Sequence, residues 1–230
     1  MRIIEPRLLP GLAAASLIAM PLPALAAGGA HGVDDAAVET PGACHLESWV
    51  SDLGHGERLV NFSPACTPGA LPTVEIGGTA QRVGTPGERR WLTGPAVKWT
   101  LHEGIGRSPA VGLAGSALID PGSGHIDSAA LLVPMTFRPA DTITVNLNAG
   151  VGHSRGEGAH PLYGAQVDIA AAKGIALMAE IFGRPDQRPA LQAGVRWTFD
   201  RERIDLDLLA GRQGGAAGNG SVTLGFTIRR

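Results

Sequence analysis

The carboxy-terminal part of the chain alternates so regularly that it constrains everything before it. From Leu191 to Phe199, Ile204 to Ala210 and Val222 to Ile228, every second residue is apolar and nearly every residue between is polar or glycine. Leu191, Ala193, Val195, Trp197 and Phe199 stand against Gln192, Gly194, Arg196 and Thr198; Val222, Leu224, Phe226 and Ile228 stand against Thr223, Gly225, Thr227 and Arg229. A period of two gives each strand one apolar and one polar face. Such strands either cap a soluble core or close into a barrel that is apolar outside and polar inside.

The compartment follows from the other end. Arg2 and Arg7 precede an apolar stretch, Leu8 to Leu25, that closes on Ala24-Leu25-Ala26. This is the layout of a cleaved secretory signal over residues 1–26, and Pro10, Pro21 and Pro23 argue against a retained transmembrane helix. No later segment has a long uninterrupted apolar run, so a membrane location would rest on strands. Residues 27–41 are expected to form an extended tail, and residues 42–230 a single β-barrel domain. Loss of the signal removes two arginines and Glu5, taking the formal charge from −2 to about −3, which argues against nucleic acid as a partner.

Cys44 and Cys66 are the two cysteines of an exported chain and are expected to form a disulfide. The midpoint between them is His55, within Leu53-Gly54-His55-Gly56-Glu57, so a hairpin turning there sets the two cysteines face to face. A redox or metal-binding thiol pair lacks a CxxC spacing and a neighbouring ligand set.

Turn signals divide the mature chain into about twelve segments of membrane-strand length. They fall near 43–53, 58–67, 71–83, 90–103, 109–119, 128–138, 142–152, 161–171, 174–183, 190–199, 203–211 and 221–230. The alanine-rich stretch Ala170 to Phe182 is read as strand, turn and strand because Gly174 interrupts it. In the second half of the chain, connections at Arg138–Asp141, Ala172–Gly174 and Asp200–Arg203 are tight, whereas Asp120–Asp127, His153–His160 and Arg212–Gly220 are long. Outer-membrane barrels sort their connections in this way, with short periplasmic turns and longer external loops. The expected fold is therefore all-β, an antiparallel up-and-down β-barrel of about twelve strands.

The same parity assigns an interior. Glu75, Lys98, Asp168, Glu180, Arg196, Asp205 and Asp207 are the candidate lumen and selectivity residues, with Asn146, Asn148, Gln166 and Gln192 beside them. So many charges are costly in a dry core and acceptable in a wet or paired barrel interior. A two-residue turn at Arg201-Glu202 sets Arg196 opposite Asp207 and Thr198 opposite Asp205, a favourable cross-strand pairing. These charges either fill the lumen as structural pairs or form a constriction that selects solutes. Trp91 and Tyr163 are expected near the outer rim and Phe137, Trp197 and Phe199 near the periplasmic rim. The chain ends in Arg229-Arg230, where bacterial barrels commonly end in an aromatic residue.

The ending, Leu191-Gln192-Ala193-Gly194-Val195-Arg196-Trp197 through Arg203-Ile204-Asp205-Leu206-Asp207 to Thr223-Leu224-Gly225-Phe226-Thr227, resembles that of proteobacterial outer-membrane, transporter-like β-barrels of the type associated with phenol degradation pathways. The front end, Cys44-His45-Leu46-Glu47-Ser48-Trp49 answered by Pro64-Ala65-Cys66, resembles an uncharacterised exported group of the same kind. What the resemblance implies is a fold and a location.

Catalytic chemistry is not expected. No GxSxG occurs, His153 and Ser154 are adjacent and so point to opposite faces of an extended strand, and Asp205 and Asp207 have a structural use opposite Arg196. No glycine-rich phosphate loop with a following lysine is present. His55, His125, His153 and His160 fall in expected external loops and His31 in the tail, without the tight spacing of a metal site, so neither metal nor cofactor is expected. The leading expectation is an outer-membrane β-barrel, a passive channel or transporter-like pore with a polar, net acidic lumen that favours cations. Its partners would be outer-membrane lipid and small solutes or ions. The alternatives are an exported soluble barrel or sandwich in the periplasm that binds a small ligand, and a filled structural barrel without transport.

Overall fold

The computed structural model describes residues 30–215 and 218–230. The expected signal segment and the first residues of the tail lie outside them. The strands in chain order are β1 (Cys44–Asp52), β2 (Arg58–Cys66), β3 (Val74–Thr85), β4 (Glu88–His102), β5 (Ala110–Ile119), β6 (Ile126–Ala140), β7 (Ile143–Ser154), β8 (Gly158–Ala172), β9 (Ile175–Gly183), β10 (Ala190–Phe199), β11 (Ile204–Arg212) and β12 (Gly220–Arg229). Each pairs antiparallel with its sequence neighbours, and β12 returns to β1, closing a twelve-stranded up-and-down barrel. Closure removes the open edges that an unpaired sheet would present. At the seam, Cys44 N–H donates to Arg230 O at 3.0 Å, Arg230 N–H donates to Cys44 O at 2.8 Å, and Ser51 Oγ lies 2.7 Å from Thr223 Oγ1.

The alternation resolves with its apolar side outward. Val222 and Leu224 are each 52 % exposed, whereas Asp205 and Asp207 are 1 % and 0 % exposed. Val97, Trp99, Val151, Leu177, Leu208 and Phe226 are also exposed, and Glu75, Asn61, Asn146, Gln166, Glu180 and Thr227 are buried. This is the inverse of a soluble barrel, whose apolar side chains would fill the centre.

Local chemistry sets the hairpins. The β1–β2 turn centres on His55, with Gly54, His55 and Gly56 all at positive φ, and it brings Cys44 opposite Cys66, which are joined by the expected disulfide. The β10–β11 connection spans residues 200–203, with Asp200, Arg201 and Glu202 at φ 46°, 57° and 71°. It puts Arg196 against Asp207 and Thr198 against Asp205. Gly174, at φ 70°, breaks the alanine-rich stretch between β8 and β9 as its sequence indicates.

The loops sort by length less cleanly than the sequence implies. The connection expected over His153–His160 shrinks to residues 155–157, because β7 and β8 continue pairing upward through His153↔Ala159 and Gly152↔His160. His153 and His160 are therefore strand residues. In the first half, the connection at residues 86–87 is tight and those at 67–73 and 103–109 are long.

Candidate functional site

The barrel interior is the site, and its main occupant is the amino-terminal tail. Residues 30–39 run inside the barrel and are held by side chains from strands around the wall. Glu180 of β9 accepts hydrogen bonds from Gly32 N–H and Val33 N–H, each at 3.1 Å. Asn148 of β7 accepts from Asp34 N–H at 2.7 Å and donates to Asp34 O at 2.8 Å. Thr136 of β6 accepts from Ala36 N–H at 3.0 Å, while Thr100 of β4 donates to Ala36 O at 2.8 Å. Glu75 of β3 accepts from Glu39 N–H at 3.2 Å. The tail is irregular, so its buried backbone groups need such partners.

Charge completes the attachment. Lys98 Nζ lies 2.6 Å from Asp34 Oδ1 and 3.4 Å from Asp35 Oδ1. Arg196 binds Asp207 through two parallel bonds, Nε to Oδ1 at 2.7 Å and NH2 to Oδ2 at 2.8 Å, the fork geometry in which arginine holds a carboxylate most firmly. Arg229 bridges Asp205 and Glu39, at 2.8 Å to each. His31 sits between the two sides, 3.6 Å from Glu180 Oε1 and 3.5 Å from Asp207 Oδ2. Around the wall, Thr136 donates to Asn146 at 2.8 Å, Asn146 donates to Gln166 at 2.8 Å, and Gln166 reaches His31 Nδ1 at 3.1 Å. Gln192 donates to Glu180 and to Ala30 O.

The tail fits because the wall beneath it is cut back. A Cβ at the inward-facing Gly164 would stand 2.8 Å from Val33 Cγ2, and one at Gly225 would stand 3.2 Å from Ala30 Cβ. Gly112 lies in the same way under Ala36 O. On the tail, a Cβ at Gly32 would collide with the ring of Phe182. Val33 and Ala36 are buried as a result.

The tail does not fill the lumen. A cavity of about 330 Å³ remains between it and the β1–β6 side of the wall, lined in part by His31, Asp34, His45, Glu47, Glu75 and Lys98. His45 is ringed by carboxylates, with Glu39, Glu47 and Glu75 at 3.5, 3.7 and 3.7 Å. Asp168 Oδ1 is buried without a hydrogen-bond partner among the described residues.

All seven expected lumen residues thus lie on the inner face, and most divide into two groups. Arg196, Asp205, Asp207 and Glu180 form a paired network on the β9–β12 side; Glu75 and Lys98 face the cavity and bind the tail. Arg229 is not among those seven, although its alternation with Ile228 already sets it on the polar face. As the penultimate residue it reads as a departure from an aromatic ending, but the even spacing from Ser221 through Thr223, Gly225 and Thr227 carries it onto the inner face.

A family model described as "Uncharacterised conserved protein UCP029691" matches residues 15–230. The chain belongs to this family. No curated protein matches the sequence of this family member. Among solved structures, its fold is similar to that of a KdgM porin, with a TM-score of 0.62, 7 % identity, and coverage of 80 % of this chain and 98 % of the other. A KdgM porin in complex with disordered oligogalacturonate gives a TM-score of 0.61 at 6 % identity, covering 81 % of this chain and 98 % of that one. A NanC porin gives 0.56 at 7 % identity, covering 80 % and 98 %. Likenesses at such low identity bear on the fold, which is that of porins, and not on the phenol-degradation type of barrel.

Proposed function

We propose that this family member is an outer-membrane β-barrel that acts as a passive, cation-favouring pore for small polar solutes, narrowed by its own amino-terminal tail. One observation carries the proposal: the exterior is apolar while charged and amide side chains line an interior that still holds a cavity. An apolar exterior of this extent needs lipid around it, and a polar lumen offers water and ions a path. The lumen carboxylates Glu47, Glu75, Asp168, Glu180, Asp205 and Asp207, with Asp34, Asp35 and Glu39 from the tail, outnumber the cations Lys98, Arg196 and Arg229. That balance favours cations and disfavours anionic oligosaccharides.

The signal-like residues 1–26 and the exported type of disulfide support delivery to the outer membrane. The likeness of the terminal strands to transporter-like barrels of the phenol-degradation type assigns no solute. The second reading, a filled barrel without transport, is favoured by the tail itself, which occupies much of the lumen.

Two measurements separate the readings. Fractionated cells should carry the protein in the outer membrane, with a gel mobility that shifts between unheated and boiled samples; recovery in the soluble periplasm overturns the membrane reading. The purified protein in a planar bilayer should conduct ions with cations preferred. Anion preference contradicts the charge argument, and silence from the intact protein together with conduction by the tail-deleted one supports the filled barrel.

A further inference from the structure

We propose that the outward face of β2–β4, at the end bearing the 53–57 and 86–87 turns, is a binding site for the phosphorylated headgroup of lipid A. The inference rests on the outer-membrane reading, which makes this end external and puts the outer leaflet against it. Arg58, Gly84 and Arg89 form one row across the three strands, and Val60, Arg82 and Trp91 form the row two residues nearer the membrane centre. By strand parity with the inward Asn61, Glu75 and Leu92, all three arginines point away from the lumen. They edge a groove of about 860 Å³ that is larger than the lumen cavity and is bounded above by Gly56, Pro86 and Gly87, with Glu88 the one carboxylate in its lining against three arginines.

The groove exists because its floor has no side chain. A Cβ at Gly84 would have only Arg58 O at 3.8 Å and Arg89 Cγ at 3.9 Å as neighbours, so the space between the two arginines is open. Two strand spacings separate their Cα atoms by roughly 10 Å, a span two guanidinium groups can close around a phosphate. Trp91, half exposed beside Arg82, has the placement of an interfacial aromatic, and the Arg58–Arg89 row lies roughly 7 Å farther out, at headgroup level.

Pairing among the described residues leaves these charges available. Arg90, the neighbour of Arg89 on the opposite face, is committed to Asp127 at 2.6 Å. Arg58 has Asp52 at 3.9 Å, with both side chains largely in solvent, a pairing of little strength. Outward arginines in an otherwise apolar wall are costly against acyl chains and favourable against an anionic headgroup. A phosphorylated lipid of the outer leaflet has the charge and the location this groove requires.

The test uses the full-length protein refolded into phosphatidylcholine nanodiscs, with bis-phosphorylated lipid A as probe and retention read by native mass spectrometry. Wild type should retain lipid A in preference to phosphatidylglycerol and to dephosphorylated lipid A. Arg58→Gln/Arg89→Gln should retain roughly thirtyfold less, the scale expected for removing two charges beside an anionic lipid, and Arg58→Lys/Arg89→Lys should retain an intermediate amount. Equal retention of phosphatidylglycerol or dephosphorylated lipid A by wild type overturns the site without any variant being needed. Undiminished lipid A retention by the glutamine variant, folded by its heat shift on a gel, also overturns it. Wild type in the outer membrane without lipid A preference overturns the site alone; wild type in the soluble periplasm overturns the membrane reading as well.

Discussion

Lys98 on β4 meets Asp34 of the tail at 2.6 Å, tying the wall of the barrel directly to the segment that occupies it. The contact is nearly buried on the lysine side, and Asp35 stands close behind. Replacing Lys98 with Met takes the cation at 2.6 Å away from Asp34, and removing one partner of a desolvated ion pair costs about 3 kcal/mol. A cysteine introduced at Ala37 should accordingly react faster with a membrane-impermeant thiol reagent in the Lys98→Met background. Unchanged labelling would mean that the tail's other contacts, among them those with Glu180, Asn148, Thr136 and Arg229, hold it without Lys98.

Arg196 and Asp207 provide the corresponding test within the wall. Either single neutral substitution, Arg196→Gln or Asp207→Asn, should lower the temperature at which the folded band converts to the unfolded one. The double variant should lose less than the sum of the two, because each single change strands a buried charge while the double strands neither. Additive losses would show that the fork is not coupled.

Much of this arrangement is legible in the sequence. Leu224 and Thr223 declare their faces by alternation, and the turn at Arg201-Glu202 fixes the register that pairs Arg196 with Asp207. The disulfide follows from a midpoint at His55. The tail is a different matter: residues 30–42 have no period, and their placement depends on three-dimensional complementarity. Gly112, Gly164 and Gly225 read as ordinary strand glycines until the barrel closes and sets them under Ala36, Val33 and Ala30. The small residues Ala30, Gly32, Ala36 and Ala37 are the signal in the sequence that points to it. Loop lengths misled at His153 and His160, because glycines at 156 and 158 let the β7–β8 hairpin continue where turn-forming residues suggested a loop.

The lipid-facing parity has its own test. Leu224→Arg places a charge on the apolar outer face and should cost about 2–4 kcal/mol if the residue lies near the bilayer midplane, seen as reduced folding into lipid vesicles. A protein soluble without detergent and indifferent to this change would contradict the outward assignment.

The Cys44–Cys66 bond stands where the tail enters the barrel, beside the Gly42 N–H to Thr67 O hydrogen bond at 2.7 Å. Closing a loop with a sequence separation of 22 residues stabilises by about 3 kcal/mol in the chain-entropy account. Reduction, or Cys44→Ser/Cys66→Ser, should lower the heat-shift temperature and leave the fold intact. No change in that temperature would assign the bond no stabilising role.

The most direct measurement compares single-channel conductance of the intact barrel with that of a variant lacking residues 30–41, and with Gly32→Leu, whose side chain collides with Phe182. The account predicts a small cation-preferring conductance for the intact barrel and a severalfold larger one for both variants. Equal conductance in all three, or none in any, would contradict a pore narrowed by its own tail.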